Sequence, residues 1–222
     1  MRRAVFLPVV GLVALVVAGP APSERIHLAA RVEGQQRSPE EYAKFLEGAD
    51  RVTRMQVPRV VATLDLKPGM KVADIGSGSG LFTRPIAKAV SPGGVAYAVD
   101  IDAALLKIVE RSAVDQKVPN VRTVLAVAAD PRLPEPVDLA FICDTLHHIK
   151  EPAVYLQTLR TYLKPGGRVA VIDFSDTWPQ GHESMRYSLA QLEDWMKGAG
   201  MSRVAEHPWL DNSFFVIYRV GS

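Results

Sequence analysis

Val72-Ala73-Asp74-Ile75-Gly76-Ser77-Gly78-Ser79-Gly80 is the stretch on which the fold turns. The apolar run at 71–75 has the length and β-branched content of a short strand, and 81–90 reads as a helix. Between them, three glycines at alternate positions let the backbone turn sharply and let a ligand approach the main chain. A Gly-x-Gly-x-Gly run by itself is equally a flexible turn. Two acids sharpen the reading. Asp74 stands two residues before the first glycine, and Asp100 ends the next strand, 20 residues after Gly80. A carboxylate at that place can accept from both hydroxyls of a ribose.

Working outward, strands are expected at 94–99, 121–126, 137–143 and 168–174, and helices at 103–113, 152–163 and 189–199. Strands alternating with helices of this length imply parallel βαβ units wound on one sheet. Two further strands, 203–206 and 214–219, flank a turn at Asp211-Asn212-Ser213, and so short a connection makes an antiparallel pair. The expected class is therefore α/β: three-layer, doubly wound, with a mostly parallel seven-stranded sheet and an antiparallel C-terminal hairpin strand at its end. Upstream, Ser38-Pro39-Glu40-Glu41 carries a capping serine, a proline suited to the first helical turn and a glutamate able to close a capping box. Tyr42, Phe45 and Leu46 give that helix an apolar face, a second helix begins near Pro58 and runs to Leu64, and Lys67-Pro68-Gly69 is a turn.

The start of the chain reads differently. Arg2 and Arg3 precede a charge-free run, 4–18, followed by small residues and prolines. A cationic start, an apolar stretch too short to span comfortably and a small-residue exit describe a secretory signal peptide, with an uncleaved N-terminal anchor as the open alternative. The division is thus a signal peptide or anchor at 1–23, a linker and helical extension at 24–65, and the main domain at 66–222. Export or membrane anchoring follows from a working leader, and a cytoplasmic location from one that does not function. The chain has 222 residues with 26 basic and 24 acidic groups, and the excess of two is Arg2 and Arg3. A domain that is formally neutral has no field to draw nucleic acid, and contact with a membrane would come only through the leader. One cysteine, Cys143, excludes a disulfide framework and any multi-thiolate zinc site, and reads as a core residue.

Taken with Tyr97-Ala98-Val99-Asp100-Ile101-Asp102, with Val137-Asp138-Leu139, and with Leu163-Lys164-Pro165-Gly166-Gly167-Arg168 before an apolar strand, the glycine loop resembles the class I, seven-stranded S-adenosylmethionine-dependent methyltransferases. The terminal hairpin is similar to the one that separates those enzymes from Rossmann dehydrogenases. Phe141-Ile142-Cys143-Asp144-Thr145-Leu146-His147-His148 resembles the small-molecule branch related to quinone-biosynthesis C-methyltransferases. The resemblance implies a Rossmann-like methyltransferase fold, S-adenosyl-L-methionine as cofactor and a small-molecule acceptor. It implies that Gly76, Ser77, Gly78 and Gly80 form the cofactor floor, that Asp74 orients the amino group of the methionine part, that Asp100 holds the ribose and that Ile101 packs on the adenine. An acid that often contacts the adenine amino group aligns with Ala129 here, and Asp130 is the candidate one residue later. The N-terminal extension, with Tyr42, Arg51 and Arg54, would cover the active site or pack on the surface.

At the acceptor end, Asp144, His147 and His148 follow the fourth strand, at the edge where such sheets bind ligands. They are the candidate catalytic residues, needed if the acceptor carries a proton. The alternative is a polar loop capping the next helix. No metal site is expected, because neighbouring histidines point apart and no third ligand is evident. Asp173 ends the fifth strand, with either a structural or a functional role. Trp178, His182 and Tyr187 fall where an acceptor lid often lies. Two other functions stay open at this level: an NAD-dependent oxidoreductase, and a non-catalytic cofactor-binding module. The second has a motive in the leader, since S-adenosylmethionine is made in the cytoplasm.

Overall fold

The computed structural model describes residues 37–221. The expected leader at 1–23 and the linker up to residue 36 lie outside the described residues.

Three short helices lead in. Helix α1 (Pro39–Leu46) starts on the expected capping box: Glu41 N–H donates to Ser38 Oγ at 3.2 Å, and Ser38 N–H to Glu41 Oε2 at 2.8 Å. Helix α2 (Ala49–Met55), not distinguished in the sequence, is set off by Gly48 as its N-cap. Gln56, at φ +43°, ends it and begins α3 (Val57–Thr63) with Pro58 in the first turn. Left-handed backbone cannot continue a helix, so the chain changes direction there.

The alternation then follows: β1 (Lys71–Ile75), α4 (Thr83–Ala89), β2 (Val95–Asp100), α5 (Ala103–Asp115), β3 (Val121–Leu125), β4 (Val137–Cys143), α6 (Pro152–Thr161), β5 (Leu163–Phe174), α7 (Leu189–Gly198), β6 (Met201–Glu206) and β7 (Ser213–Val220). The seven strands lie in the order β3-β2-β1-β4-β5-β7-β6. β7 runs antiparallel to both β5 and β6. The antiparallel strand is therefore not at the end of the sheet, as expected, but one place in. β6 takes the edge because β7, with residues 213–218 and 220 all buried, needs cover on both faces, whereas β6 is largely exposed. β5 also begins earlier than expected. Val137 pairs with Leu163 and Leu139 with Arg168, so Lys164-Pro165-Gly166-Gly167 bulges from a longer ladder.

The central strands read as continuous apolar runs because helices cover both faces. Alternate residues divide between two cores. Ile75, Ile142, Val171 and Val216 pack on one face, and Val72, Phe141, Ile172 and Phe215 on the other. Cys143 belongs to the second, as expected of a core thiol. Between β1 and β4 the chain order reverses, which is where open α/β sheets place ligands beyond the strand ends. Among the described residues, no helix is long and apolar enough to cross a membrane.

Candidate active site

The glycine loop leaves β1 and enters α4, and Gly76, Gly78 and Gly80 all have positive φ, +69°, +53° and +79°. What lies against them is protein. A Cβ on Gly76 would fall 2.3 Å from the Thr145 side chain, and one on Gly78 2.7 Å from Leu46 Cδ1. On Gly80 it would fall 3.1 Å from Val109 of α5. The first two glycines admit the loop after β4 and the end of α1, while the third lets α5 pack against the loop.

Asp100 ends β2 directly across from this turn. Its Oδ2 accepts from Gly78 N–H at 2.8 Å and its Oδ1 from Asp102 N–H at 3.0 Å. Two of the carboxylate's roughly four acceptor positions are thereby used, leaving capacity for two hydroxyls. Burial raises its pKa, partly offset by these backbone donors. Ile101 is half-buried beside it. Asp74 is buried, and its Oδ2 accepts from Thr83 Oγ1 at 2.5 Å. Burial pushes its pKa up to about 7, against the opposing Thr83 hydrogen bond. Asp130 is tied elsewhere: its Oδ1 accepts from the Tyr162 hydroxyl at 2.9 Å and from Arg132 N–H at 2.8 Å.

The N-terminal helices close over this region. Arg84 in α4 donates to Ser79 O at 2.8 Å and to Glu47 at 2.6 Å, joining the loop to the end of α1. Arg51 donates to Leu46 O and to Asp144 Oδ2, both at 3.1 Å, and Arg54 approaches the same carboxylate at 3.6 Å. Asp144, at φ +48°, is thus clamped by two guanidinium groups. Ser77 Oγ, Ser79 Oγ, Asp144 Oδ1 and Arg54 Nη1 are nevertheless buried with no hydrogen-bond partner among the described residues. Buried polar atoms are normally paired, so this set of hydroxyls, carboxylate and guanidinium suits a polar, zwitterionic ligand.

Beyond Asp144, a 3₁₀ turn at Leu146–His148 carries the two histidines. His147 is buried, and its Nδ1 lies 2.8 Å from Asp173 Oδ1 at the end of β5. Asp173 also accepts from Phe174 N–H at 3.0 Å and, on its other oxygen, from the Tyr187 hydroxyl at 2.9 Å. Burial and the Asp173 charge push the Tyr187 phenol upward, so it stays the donor. With Asp173 as acceptor throughout, Nδ1 of His147 carries a proton, and in the neutral ring Nε2 presents a lone pair. That Nε2 is buried and has no partner among the described residues. The Asp173 and Tyr187 partners could not be read from spacing, although adjacent β4 and β5 ends were the available signal.

His148 sits against His147, ring centroids 4.1 Å apart, and His182, from the segment after β5, stands 5.1 Å from each. The expectation that the two neighbours diverge is not met, because the tight turn brings the rings together, and a third histidine does reach them. Although His148 keeps an exposed edge, desolvation of its ring and the neighbouring imidazoles push it down to about 4.

Residues 73–171 match a family described as "Methyltransferase domain". The ubiquinone/menaquinone biosynthesis C-methyltransferase UbiE of Burkholderia vietnamiensis is 34% identical over 121 residues, 53% of this chain and 49% of that protein. The chain thus spans about half the length of the curated relatives it matches. A crystallised SAM-dependent methyltransferase from Aquifex aeolicus superposes with TM-score 0.73 at 24% identity, covering 84% of this chain and 100% of that one. Magnesium protoporphyrin IX methyltransferase from Synechocystis PCC 6803, solved with bound SAM, gives 0.62 at 19% identity over 89% and 91%. Residues 73–171 thus match the methyltransferase-domain family in sequence, and the seven-stranded sheet has the fold of these S-adenosylmethionine-dependent methyltransferase structures.

Proposed function

We propose that the protein transfers a methyl group from S-adenosylmethionine to a small-molecule acceptor that loses a proton in the reaction. The observation that carries this reading is the glycine loop joined through Gly78 N–H to the Asp100 carboxylate, beside four orphaned polar atoms. Asp100 would accept from the ribose hydroxyls. Ser77, Ser79, Arg54 and Asp144 would hold the carboxylate and ammonium ends, with Asp74 beneath the loop as a buried support. Ile101 would pack on the adenine, and Asp130 keeps one carboxylate oxygen for its amino group.

S-adenosylmethionine supplies a methyl already activated by the sulfonium charge, so the chain mainly aligns the partners and excludes water. The clamp of Arg51 and Arg54 on Asp144 draws the N-terminal helices over the loop and serves that exclusion. His147 Nε2 is the lone pair available for the acceptor's proton, and Asp173 is a positioning residue that fixes its tautomer. Asp144, held by two arginines, binds rather than deprotonates. The name of the quinone-biosynthesis relatives supports a carbon acceptor on a small ring.

Calorimetric titration of the purified chain with S-adenosylmethionine and its demethylated product tests the reading, followed by transfer of labelled methyl to a panel of phenols and hydroquinones. No binding of either cofactor form overturns it. The dehydrogenase alternative is disfavoured by the strand order, since the ordinary dinucleotide sheet ends 4-5-6 without an inserted antiparallel strand. NADH fluorescence on mixing is the check. A non-catalytic module would bind the cofactor and turn over no acceptor. Export or anchoring through residues 1–23 belongs to the same proposal, and mass analysis of the N-terminus of the secreted or membrane fraction tests it.

A further inference from the structure

Two loops far apart in sequence deliver three imidazoles to one point. His147 and His148 come from the turn after β4 and His182 from the segment after β5, and one ligand nitrogen from each lies within 4.8 Å of the others. His147 is already arranged as ligating histidines are. Its Nδ1 is engaged by Asp173, which is itself held by Tyr187 and Phe174 N–H, and its side chain is only 1% exposed. A carboxylate on the far nitrogen fixes the tautomer, orients the ring and raises the basicity of the other nitrogen. That other nitrogen, Nε2, is buried with no partner among the described residues. Leaving a buried lone pair unmet is unfavourable, and a ligand at Nε2 would relieve it.

We propose that His147, His148 and His182 bind a divalent transition-metal ion, of which zinc is the best match, leaving one coordination position open. Three neutral nitrogens with no carboxylate in the set suit zinc and its first-row neighbours rather than magnesium or calcium, which take oxygen ligands. Zinc–nitrogen bonds of about 2.0–2.1 Å in tetrahedral geometry place ligand nitrogens roughly 3.3 Å apart, so the cluster contracts around the ion. The exposed His148 edge and half-buried His182 leave room for that adjustment and for entry of the ion. The open position faces solvent or acceptor. An acceptor hydroxyl bound there would be acidified by the ion and release its proton to solvent water, so that Nε2, occupied as a ligand, is not needed as the base. The inference stands on the imidazole geometry and does not rest on the methyltransferase reading.

The test is cobalt(II) titration of the full chain after chelator treatment, with zinc competition, while cofactor binding is measured separately by calorimetry. One equivalent of cobalt(II) with visible absorption of tetrahedral nitrogen coordination, displaced by zinc, is expected. His148→Ala and His182→Ala should each weaken binding at least ~10–100-fold with unchanged Tm, and Asp173→Asn should weaken it by a similar factor by loosening the hold on His147 Nδ1. Absence of cobalt uptake by folded protein overturns the proposal, as does uptake that both histidine variants leave unaltered. Cobalt binding without cofactor binding would instead count against the methyltransferase reading alone.

Discussion

Asp100 and Asp74 show how two carboxylates on neighbouring strands acquire different work. Asp100 stands at the strand end with main-chain donors on both oxygens and spare acceptor capacity, whereas Asp74 is sealed beneath the loop with Thr83. Asp100→Asn keeps an oxygen for one of the two backbone donors but loses the charge. It is expected to weaken S-adenosylhomocysteine binding about 10–100-fold by calorimetry, the equivalent of a hydrogen bond to a charged group. For Asp74 the sign is worked from linkage. Its folded pKa, about 7, lies above the ordinary aspartate value of 3.8, so the unfolded chain releases this proton first. Asp74 therefore favours the folded state below about pH 4, and that contribution is lost as pH rises toward 7. Asp74→Asn should remove it. The stability difference between wild type and variant, from urea unfolding at pH 4.5 and pH 7, is expected to shift against wild type at the higher pH. No shift would mean the carboxyl is not desolvated as the structure places it.

At the scale of elements, α1 is bound to the domain by a few polar links, Glu47 to Arg84 and Glu40 to Arg111, whereas α2 and α3 bury Met55, Val57 and Val60 in the core and add Arg51 and Arg54 on Asp144. Helix α1 buries only Ala43 fully, so its own capping matters more than it would in a core helix. Ser38→Ala removes one side of the capping box and should cost about 0.5–2 kcal/mol locally. Hydrogen exchange is expected to quicken across residues 39–46 while β1, β4 and β5 keep their protection. Quickening throughout the sheet would show that α1 is a cooperative part of the core. Because Leu46 rests on Gly78, the same variant should also weaken cofactor binding, by less than tenfold.

Across the whole molecule, the sheet, its two apolar cores and the covering helices form the platform on which these loops stand. A ligand that binds only the folded chain adds about 2.7 kcal/mol at 100 times its Kd. For a domain of this size each kcal/mol moves Tm by roughly 2–4 °C, so S-adenosylmethionine should raise Tm by about 5–10 °C. The same concentration of NADH should leave it unmoved. A rise with NADH and none with S-adenosylmethionine would reverse the assignment of the pocket.

The sequence by itself determined the α/β alternation, the glycine turn, Asp100 and the terminal hairpin, because each is a local pattern: apolar periodicity, glycine at positive φ, a carboxylate at a strand end. Capping at Ser38 was legible for the same reason. Tertiary structure alone decided that β7 lies inside β6, that the 164–167 stretch bulges from β5, and that Arg51 and Arg54 clamp Asp144. It also decided the pairing of His147 with Asp173 and the arrival of His182 beside two histidines read as diverging. These depend on which strand ends are neighbours and on how a loop returns, and no spacing along the chain encodes a contact between residues 26 or 35 positions apart.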